Sequence, residues 1–350
     1  MTTLRRKKRH DHPPESETLL IRAKLLAWYD VHARDLPWRA SRDPYRVWVS
    51  EIMLQQTRVA AVIEHYHEFL RRFPTVEKLA SAREASVLAA WSGLGYYRRA
   101  RMLHAAAKVV ARERRGTFPD SADDWRTLPG VGRYTAAAIA SIGFGEAVAV
   151  VDGNVERVLQ RITGKVTSGE RIWQLAENLL DRNRPGDFNQ AMMELGATVC
   201  TPRTPACLTC PLVKLCATRG ELAGAQKKSR QQKCEIHYAL DRRNGSVFLT
   251  KRPPDILLMA GMWELPEIPR PADHGEPFLT VRHSITVTDY TVHVWPVTAT
   301  LKGEWCAIDR LPRLALTGLA RKILRKSGII PASTTGIESS RKKERRLSAR

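Results

Sequence analysis

One segment decides how this chain folds: Leu128-Pro129-Gly130-Val131-Gly132-Arg133-Tyr134-Thr135-Ala136. Its two glycines stand one residue apart between a short helical run and an alanine-rich one, which predicts a tight turn joining two helices. Such a turn exposes backbone N–H groups beside the start of the second helix, and these can hold a DNA phosphate without reading base sequence. We therefore predict that Gly130, Gly132 and Arg133 contact nucleic acid, although a Gly-x-Gly turn by itself is more often only a tight corner of the chain.

A carboxylate follows at the start of the next helix, in Val150-Val151-Asp152-Gly153-Asn154-Val155. Aspartate is well suited to cap a helix that begins at this point. An ionised side chain there could equally take part in chemistry. The residues alone leave both interpretations of Asp152 open.

Upstream, one carboxyl group is surrounded by apolar residues in the helical segment Trp48-Val49-Ser50-Glu51-Ile52-Met53-Leu54-Gln55-Gln56-Thr57. Burial disfavours the charged form of a carboxyl group, so we expect a raised pKa for Glu51 and proton donation near neutral pH. Glu51 could instead be a surface residue that caps the helix or pairs with Arg58.

Four of the six cysteines crowd into one short stretch. They are Cys200, Cys207, Cys210 and Cys216, with six, two and five residues between them. Four thiolates so close in sequence can close around a single metal centre. Zinc and an iron-sulfur cluster both suit such ligands, although zinc more often uses two CxxC pairs and this stretch has one. Cys234 and Cys306 lie outside the array and are expected to be buried free thiols.

The bulk composition limits the class of protein. Hydrophobic residues make up 43% of the 350 residues, and 57 Lys and Arg stand against 36 Asp and Glu, a formal charge of +21. This excess suits a polyanion such as nucleic acid, although it would also arise in an organism whose proteins are all rich in arginine. With no apolar run of roughly 18 residues and no signal peptide, we expect no membrane association and, in a bacterium, a cytoplasmic, nucleoid-associated protein.

Hydrophobic periodicity predicts two domains flanked by polar segments. Residues 17–219 carry apolar side chains at helical spacing, which indicates an all-α domain. Residues 234–328 change to alternating spacing around a turn at Asn244-Gly245, which indicates a small α+β domain ending in a helix. We predict basic disordered tails at 1–16 and 329–350 and a basic linker at 220–233.

The order of these motifs resembles a known superfamily. Hairpin, glycine-rich link and aspartate are similar to those of the helix-hairpin-helix base-excision glycosylases, and the cysteine spacing resembles that of the endonuclease III and MutY branch. The resemblance implies a multidomain protein, with an all-α helix-hairpin-helix glycosylase domain carrying a 4Fe-4S loop at 200–216, then a small α+β Nudix-like domain. Bifunctional members carry a Schiff-base lysine where this chain has Tyr134. A phenol cannot form an imine, so a monofunctional glycosylase is implied.

Within that branch, the segment around Glu51 closely resembles MutY. The resemblance implies that Gln55 and Gln56 enter the duplex near the mispair and help to hold adenine out of the base stack. It also implies an adenine pocket in which Asn154 and Tyr134 orient groups around the acid, water and the aspartate. The pocket positions are Arg39, Tyr134 and Asn154.

A glycine-rich segment, Gly93-Leu94-Gly95-Tyr96-Tyr97, resembles the one whose tyrosine wedges beside 8-oxoguanine in MutY. The spacing leaves open which ring, Tyr96 or Tyr97, enters DNA. Either ring could instead belong to the core, as most aromatic side chains do.

The second domain resembles the C-terminal domain of MutY, which is related to Nudix hydrolases, through Leu257-Leu258-Met259-Ala260-Gly261-Met262-Trp263-Glu264-Leu265-Pro266. Residues 262–282 lack the closely spaced carboxylates of metal-dependent pyrophosphate cleavage, so recognition of 8-oxoguanine is expected instead. Family members often carry Phe-Ser-His in the recognition loop, whereas this chain has Val281-Arg282-His283-Ser284-Ile285-Thr286. Ser284 and His283 are the implied contacts with the lesion.

The sequence thus predicts an adenine DNA glycosylase of base excision repair. Its expected partner is double-stranded DNA with adenine opposite 8-oxoguanine or guanine, bound by a monomer that carries a 4Fe-4S cluster. In this prediction Glu51 is the general acid and Asp152 stabilises the oxocarbenium ion. Two alternatives remain, a thymine glycosylase acting on T:G mispairs and a catalytically silent iron-sulfur protein that marks lesions.

Overall fold

The structure of the chain, a computed structural model, describes residues 13–222, 232–256, 258–271, 275–285, 288–298 and 302–331. The chain forms two compact units. The first comprises Met1–Ser81 and Met102–Lys227, and the second Ala82–Arg101 and Lys228–Arg350. The predicted tails and linker lie largely outside the described residues.

The described part of the chain up to residue 222 is helical. Its α-helices are α1 (Glu15–His32), α2 (Pro44–Leu54), α3 (Val59–Arg72), α4 (Val76–Ser81), α5 (Glu84–Trp91), α6 (Arg98–Arg112), α7 (Ala122–Trp125), α8 (Arg133–Ile139), α9 (Gly153–Thr163), α10 (Glu170–Leu179) and α11 (Pro185–Thr198). One core is formed by the apolar faces of α1, α9, α10 and α11, where Leu25 and Leu159 are fully buried. Burying one such side chain stabilises the fold by about 1.5–3 kcal/mol. The predicted all-α fold is confirmed for this region.

The glycine turn joins α7 to α8 as predicted. Gly130 has a φ of +74°, and a Cβ there would run into the side chain of Met102. Glycine is therefore required at Gly130, because other residues rarely adopt this backbone conformation and none would fit the space. Gly132 is the N-cap of α8, and no atom lies within 4 Å of where its Cβ would be. Gly132, at the start of α8, is exposed.

Past α8 the helix widens into a π-turn, Ala140–Phe144, and an extended stretch leads to α9. α11 lies directly against the π-turn. A Cβ at Gly186 would stand 2.6 Å from the carbonyl oxygen of Ser141 and 2.9 Å from the Cα atom of Ile142. The close approach of two backbones therefore depends on a glycine in α11.

The second unit is rich in strands. They are β1 (Gln232–Ala239), β2 (Arg242–Arg243), β3 (Ser246–Lys251), β4 (Trp263–Glu264), β5 (Leu279–Ile285), β6 (Thr288–Trp295) and β7 (Glu304–Ala307), followed by helix α12 (Gly318–Lys326). One sheet has the order β1-β6-β5, with β1 and β6 parallel. In the other, β3 pairs with β2, β4 and β7. Asn244 and Gly245 turn β2 into β3 with positive φ angles, as the hairpin prediction required.

The second unit also contains Ala82–Arg101, a stretch that the sequence-predicted domain at 17–219 includes. It holds α5, the glycine-rich segment and the first turn of α6. Helical periodicity cannot detect this arrangement, because an amphipathic helix reads the same whichever partner covers its apolar face. Within the described residues, no helix combines the length and apolarity that a membrane span requires.

We predict that Gly186→Ala destabilises the protein by about 2–3 kcal/mol, because the added methyl group meets backbone atoms that cannot rotate away. Urea unfolding measures the loss. Gly153→Ala is the control, because a Cβ at Gly153 meets nothing within 4 Å. Equal stability of the two variants would show that α11 and the π-turn are not held in this close approach.

Candidate active site

Glu51 lies inside the first unit, on the buried face of α2. This helix begins at Pro44, and the side chain of Asp43 caps it by accepting a hydrogen bond from the backbone N–H of Arg46 at 3.1 Å. Only 6% of Glu51 is exposed, so a surface pairing with Arg58 is wrong. The carboxyl group instead accepts a hydrogen bond from the hydroxyl group of Tyr134, at 2.8 Å.

Burial is the main cause of a raised pKa at Glu51, which lies at about 7. The Tyr134 hydrogen bond opposes the rise, the charge of Asp152 adds to it, and the charge of Arg39 opposes it. Burial also raises the pKa of Tyr134 well above its ordinary value, so the phenol keeps its proton. Near neutral pH a large fraction of Glu51 is therefore a neutral acid beside a permanent hydrogen-bond donor.

Of the two roles that the sequence left open for Asp152, the structure shows helix capping. Its carboxylate caps α9 by accepting hydrogen bonds from the backbone N–H groups of Asn154 and Val155, at 2.9 and 2.7 Å. The side-chain amide of Asn154 donates to the second carboxylate oxygen at 3.0 Å. Because the charge of Asp152 also raises the pKa values of Glu51 and Tyr134, the two carboxyl groups share one electrostatic environment.

A buried amide that the sequence analysis missed fixes the chain leading to Asp152. The side chain of Asn189, on α11, accepts from the N–H of Val150 at 3.1 Å and donates to the carbonyl of Val148 and the hydroxyl of Ser141, both at 2.9 Å. Only 3% of Asn189 is exposed. A fully bonded buried amide fixes the extended stretch in one position, because any shift would leave polar groups unpaired.

Arg157 was also missed, although it stands one helical turn from Asn154. Its guanidinium donates to the side-chain oxygen of Asn154 at 2.8 Å, to the carbonyl of Gly196 at 2.7 Å and to the carbonyl of Cys200 at 2.9 Å. The residue that orients Asp152 is thus bonded through Arg157 to the start of the cysteine segment.

Arg39 forms an ion pair with Glu194, a residue distant in the sequence that the sequence analysis did not identify. Its guanidinium donates to Glu194 at 2.8 Å and lies over the ring of Tyr29 at 5.4 Å. Glu194, only 1% exposed, also accepts from Arg34 at 2.6 Å. Two arginines compensate the buried carboxylate, and Arg39 is fixed close enough to lower the pKa of Glu51 through its charge.

The predicted DNA contacts of the first unit lie at the end of α2 and at the glycine turn. The side chain of Gln55 donates to the hydroxyl of Thr135 at 3.1 Å, while Gln56 is exposed with a φ of +57°. Gly130 and Gly132 are also exposed. Arg133 is exposed but occupied, since it pairs with Glu170 at 2.6 Å and lies over the Trp173 ring at 4.0 Å.

The two candidate tyrosines of the second unit have different environments. Tyr97 is 4% exposed, and its hydroxyl donates to the carbonyl of Leu316 at 3.2 Å. Tyr96 is 45% exposed and adopts a φ of +48°. Tyr97 is therefore a core residue, and the Tyr96 ring is the accessible one.

The predicted lesion contacts lie on the β5–β6 hairpin. The hydroxyl of Ser284 donates to the carboxylate of Asp289 across the hairpin. His283 is half-buried, and burial together with the charge of Lys322 lowers its pKa. Residues 286 and 287, which complete this segment, lie outside the described residues.

The four cysteines follow α11, with Cys207 and Cys210 bonded to each other through backbone groups at 3.2 Å. Burial raises the pKa of Cys210 to about 11, and the charges of the other three cysteines add to the rise. The backbone N–H of Arg219 donates to the sulfur of Cys216, and the guanidinium of Arg161 donates to the sulfur of Cys200, both at 3.4 Å. No three His, Cys, Asp or Glu side chains of the described residues are arranged to enclose a metal ion. The donor set itself, soft thiols with N–H groups directed at sulfur, fits an iron-sulfur cluster.

The fold and site define a helix-hairpin-helix protein of DNA base excision. Residues 49–182 match the family model described as HhH-GPD superfamily base excision DNA repair protein. The solved structure of a thermostable thymine-DNA glycosylase is 31% identical with a TM-score of 0.55, covering 58% of this chain and 97% of that one. The chain belongs to the HhH-GPD superfamily of base excision DNA repair proteins, and within it to the MutY type.

Curated relatives support this assignment. Human adenine DNA glycosylase is 50% identical over 219 residues, which cover 58% of this chain and 40% of the relative. Adenine DNA glycosylase of Arabidopsis thaliana is 41% identical over 305 residues, covering 73% of this chain and 48% of the relative. The chain thus spans about half the length of the curated relatives that it matches.

The raised pKa of Glu51 should make the protein less stable as the pH rises. Below 4.5, its ordinary pKa, the carboxyl is protonated in both folded and unfolded chains. Between 4.5 and about 7 the unfolded chain releases the proton first, and stability falls. We expect Glu51→Gln to raise the free energy of unfolding by about 3 kcal/mol near pH 8 and hardly at all near pH 4, since the pKa rises from 4.5 to about 7 and one pKa unit corresponds to about 1.4 kcal/mol.

Urea unfolding at both pH values tests this expectation. Glu64→Gln is the matched control, because Glu64 is exposed on α3 and its removal should change stability at neither pH. A Glu51→Gln variant that is less stable than the unaltered protein near pH 8 would contradict the raised pKa of the buried Glu51.

Proposed function

We propose that this chain is a monofunctional adenine DNA glycosylase that hydrolyses the N-glycosidic bond of adenine opposite 8-oxoguanine or guanine. One observation carries the proposal. Glu51 is buried with a pKa of about 7, accepts a hydrogen bond from Tyr134 and lies within electrostatic reach of Asp152. Adenine is a poor leaving group until it is protonated, so its excision needs an acid of this kind beside an ionised carboxylate.

In the proposed reaction Glu51 donates its proton to the departing adenine. The N-glycosidic bond breaks, its electron pair stays on the base, and the sugar becomes an oxocarbenium ion. The carboxylate of Asp152, held in place by Asn154 and the start of α9, stabilises this cation. Water then bonds to the sugar carbon, and its proton returns to Glu51, which completes the cycle with an abasic site as product.

The absence of lyase chemistry follows from Tyr134. The residue after Arg133 carries a phenol, which cannot form the imine that covalent strand scission requires. Its hydroxyl is instead directed at Glu51. We propose that Tyr134 keeps the acid in position and supports its proton transfer. The positive charge of Arg39 lowers the pKa of Glu51 and so limits the rise caused by burial.

DNA would be held mainly through its backbone. Gly130, Gly132 and the start of α8 offer N–H groups to a phosphate, and Arg133 could exchange its exposed Glu170 partner for one. Gln55 and Gln56 would enter near the mispair. Tyr96 is the proposed wedge beside 8-oxoguanine, because the Tyr97 ring is buried.

For the second unit we propose a role in recognising 8-oxoguanine. The hydroxyl hydrogen of Ser284 is already used in a hydrogen bond to Asp289, so the oxygen that Ser284 offers a lesion is a hydrogen-bond acceptor. His283 lies beside it on β5. A Nudix-like origin of this unit remains part of the proposal.

We propose a 4Fe-4S cluster on Cys200, Cys207, Cys210 and Cys216. When bound, such a cluster would cross-link the loop and stiffen its basic surface. Arg203, Lys214 and Arg219 of that loop are exposed and would contact phosphate. Through Arg157, the same segment also supports Asn154.

A second candidate function is removal of thymine from T:G mispairs. It is favoured by the similarity to the thymine-DNA glycosylase. The similarity to that structure covers only 58% of this chain. Gln55-Gln56, which resemble the MutY motif, and the second unit argue for adenine.

The decisive experiment is a single-turnover assay on duplexes that carry one A:8-oxoguanine, A:G, T:G or A:T pair, with products split by alkali or by heat alone. We expect alkali-dependent cleavage at adenine in the first two duplexes only. Cleavage at T:G would favour the second candidate, and cleavage without alkali would contradict monofunctional chemistry. Glu51→Gln should bind the A:8-oxoguanine duplex yet lower excision by at least about 100-fold, the contribution of a general acid. Full activity of this variant would refute the proposed acid.

Metal analysis tests the cysteine assignment. Protein purified without oxygen should contain about four iron and four sulfide per chain, as expected of a 4Fe-4S centre. Cys210→Ser should lose most of both and their visible absorbance, whereas Cys306→Ser, outside the array, should retain them. One zinc per chain without sulfide would identify the rival metal.

A further inference from the structure

The exposed Tyr96 belongs to a segment whose anchoring partners come from the far end of the sequence. Ala82–Arg101 packs in the second unit with residues that follow it by more than 150 positions. In this segment Ser92, the residue that follows α5, hydrogen-bonds to Leu316, which lies just before α12. The contacts around Ser92 therefore decide how the glycine-rich segment is presented.

Ser92 is 4% exposed and bonded on both sides. Its hydroxyl donates to the carbonyl of Leu316 at 2.6 Å and accepts from the guanidinium of Arg321 at 2.8 Å. Tyr97 donates to the same carbonyl at 3.2 Å. These four residues, Ser92, Tyr97, Leu316 and Arg321, form what we call the serine anchor.

The backbone on either side of Leu316, whose carbonyl accepts the bonds of the serine anchor, is itself hydrogen-bonded. Trp263 of β4 accepts from the N–H of Thr317 and donates its own N–H to Ala315, both at 2.9 Å, so the backbone on each side of Leu316 is fixed. Leu316 itself is fully buried. Arg101, which follows the two tyrosines in the chain, makes a second contact with the C-terminal part of this unit, because its guanidinium donates a hydrogen bond to the carbonyl of Ala260.

Tyr96 stands between the two anchored residues. Its backbone has a positive φ, an unfavourable conformation for a tyrosine, which persists only where the surroundings impose it. The indole N–H of Trp91 donates to the carbonyl of Gly95 at 3.2 Å, and the guanidinium of Arg99 lies 5.3 Å from the centre of the Tyr96 ring. The turn is thus braced from within and anchored at both ends, while the ring remains accessible.

We propose that the serine anchor positions Tyr96 for DNA, so that the C-terminal part of the chain controls the aromatic probe through Ser92 and Tyr97. Ser92, Tyr97 and Arg321 are then positioning residues, which act through Tyr96 without touching DNA. The inference rests on the proposed function for its effect on excision, but not for the anchor itself.

Hydrogen exchange in the free, full-length protein tests the anchor without any assay of function. The amides of Leu94, Arg99 and Arg101 are hydrogen-bonded within the segment. Ser92→Ala should speed their exchange by roughly tenfold, as expected when a buried hydrogen bond no longer restrains local opening. Ser86→Ala, a half-buried serine on the same helix, is the control and should change it little. Tyr97→Phe, which keeps the ring and removes one donor, should give a smaller increase and serves if Ser92→Ala does not fold.

A double-mutant cycle tests whether the anchor acts through Tyr96. The readout is the ratio of single-turnover adenine excision rates opposite 8-oxoguanine and opposite guanine. Ser92→Ala should lower this ratio by roughly 5- to 30-fold in the unaltered chain, within the range of couplings carried through packed residues. In a Tyr96→Ala background it should lower the ratio by less than about twofold, because the probe is already gone.

The outcomes separate the two proposals. The positioning role would be overturned if amide exchange in Ser92→Ala and Tyr97→Phe equalled that in Ser86→Ala. It would also be overturned if the effects of Ser92→Ala and Tyr96→Ala on the ratio of excision rates simply multiplied. Faster exchange in Ser92→Ala, with no adenine excision by the unaltered protein, would retain the anchor and reject the proposed function.

Discussion

The carboxyl group of Glu51 is kept out of water, and the first unit is organised around that constraint. Burial raises its pKa to about 7, which stores a proton that an exposed glutamate would have lost. A neutral acid in the core must still be hydrogen-bonded, and Tyr134 supplies the bond from the helix that follows the glycine turn. The turn that exposes backbone N–H groups thus also delivers the partner of the acid.

The other charged groups of the site are arranged so that none is left uncompensated. Asp152 is stabilised by the first N–H groups of α9 and by Asn154, whereas Arg39 is paired with a glutamate on α11. α11 contributes repeatedly, through Asn189, Glu194 and the carbonyl of Gly196. It brings no reacting group itself, but fixes the position of those that do. Proteins commonly place such supports behind a reactive site, because small displacements there weaken catalysis.

Sequence reasoning worked where the signal was local. The double glycine predicted the turn before α8, Asn244-Gly245 predicted the hairpin of β2 and β3, and apolar neighbours predicted that Glu51 is buried with a raised pKa. It was undecided for Asp152, because capping a helix and stabilising charge require the same carboxylate. It missed Arg157, Asn189 and Glu194, whose polar side chains look like ordinary surface residues until their partners are known.

The sequence by itself determined the superfamily, the helical first unit and the identity of the buried acid, because these depend on spacing within a few residues and on backbone preferences. Only the tertiary structure decided which tyrosine is accessible and which unit holds the glycine-rich segment. The bond between Tyr134 and Glu51 joins residues 83 positions apart, and the one between Ser92 and Leu316 spans 224. Contacts at such separations follow from how the buried faces of distant elements fit together, which no periodicity within a single element encodes.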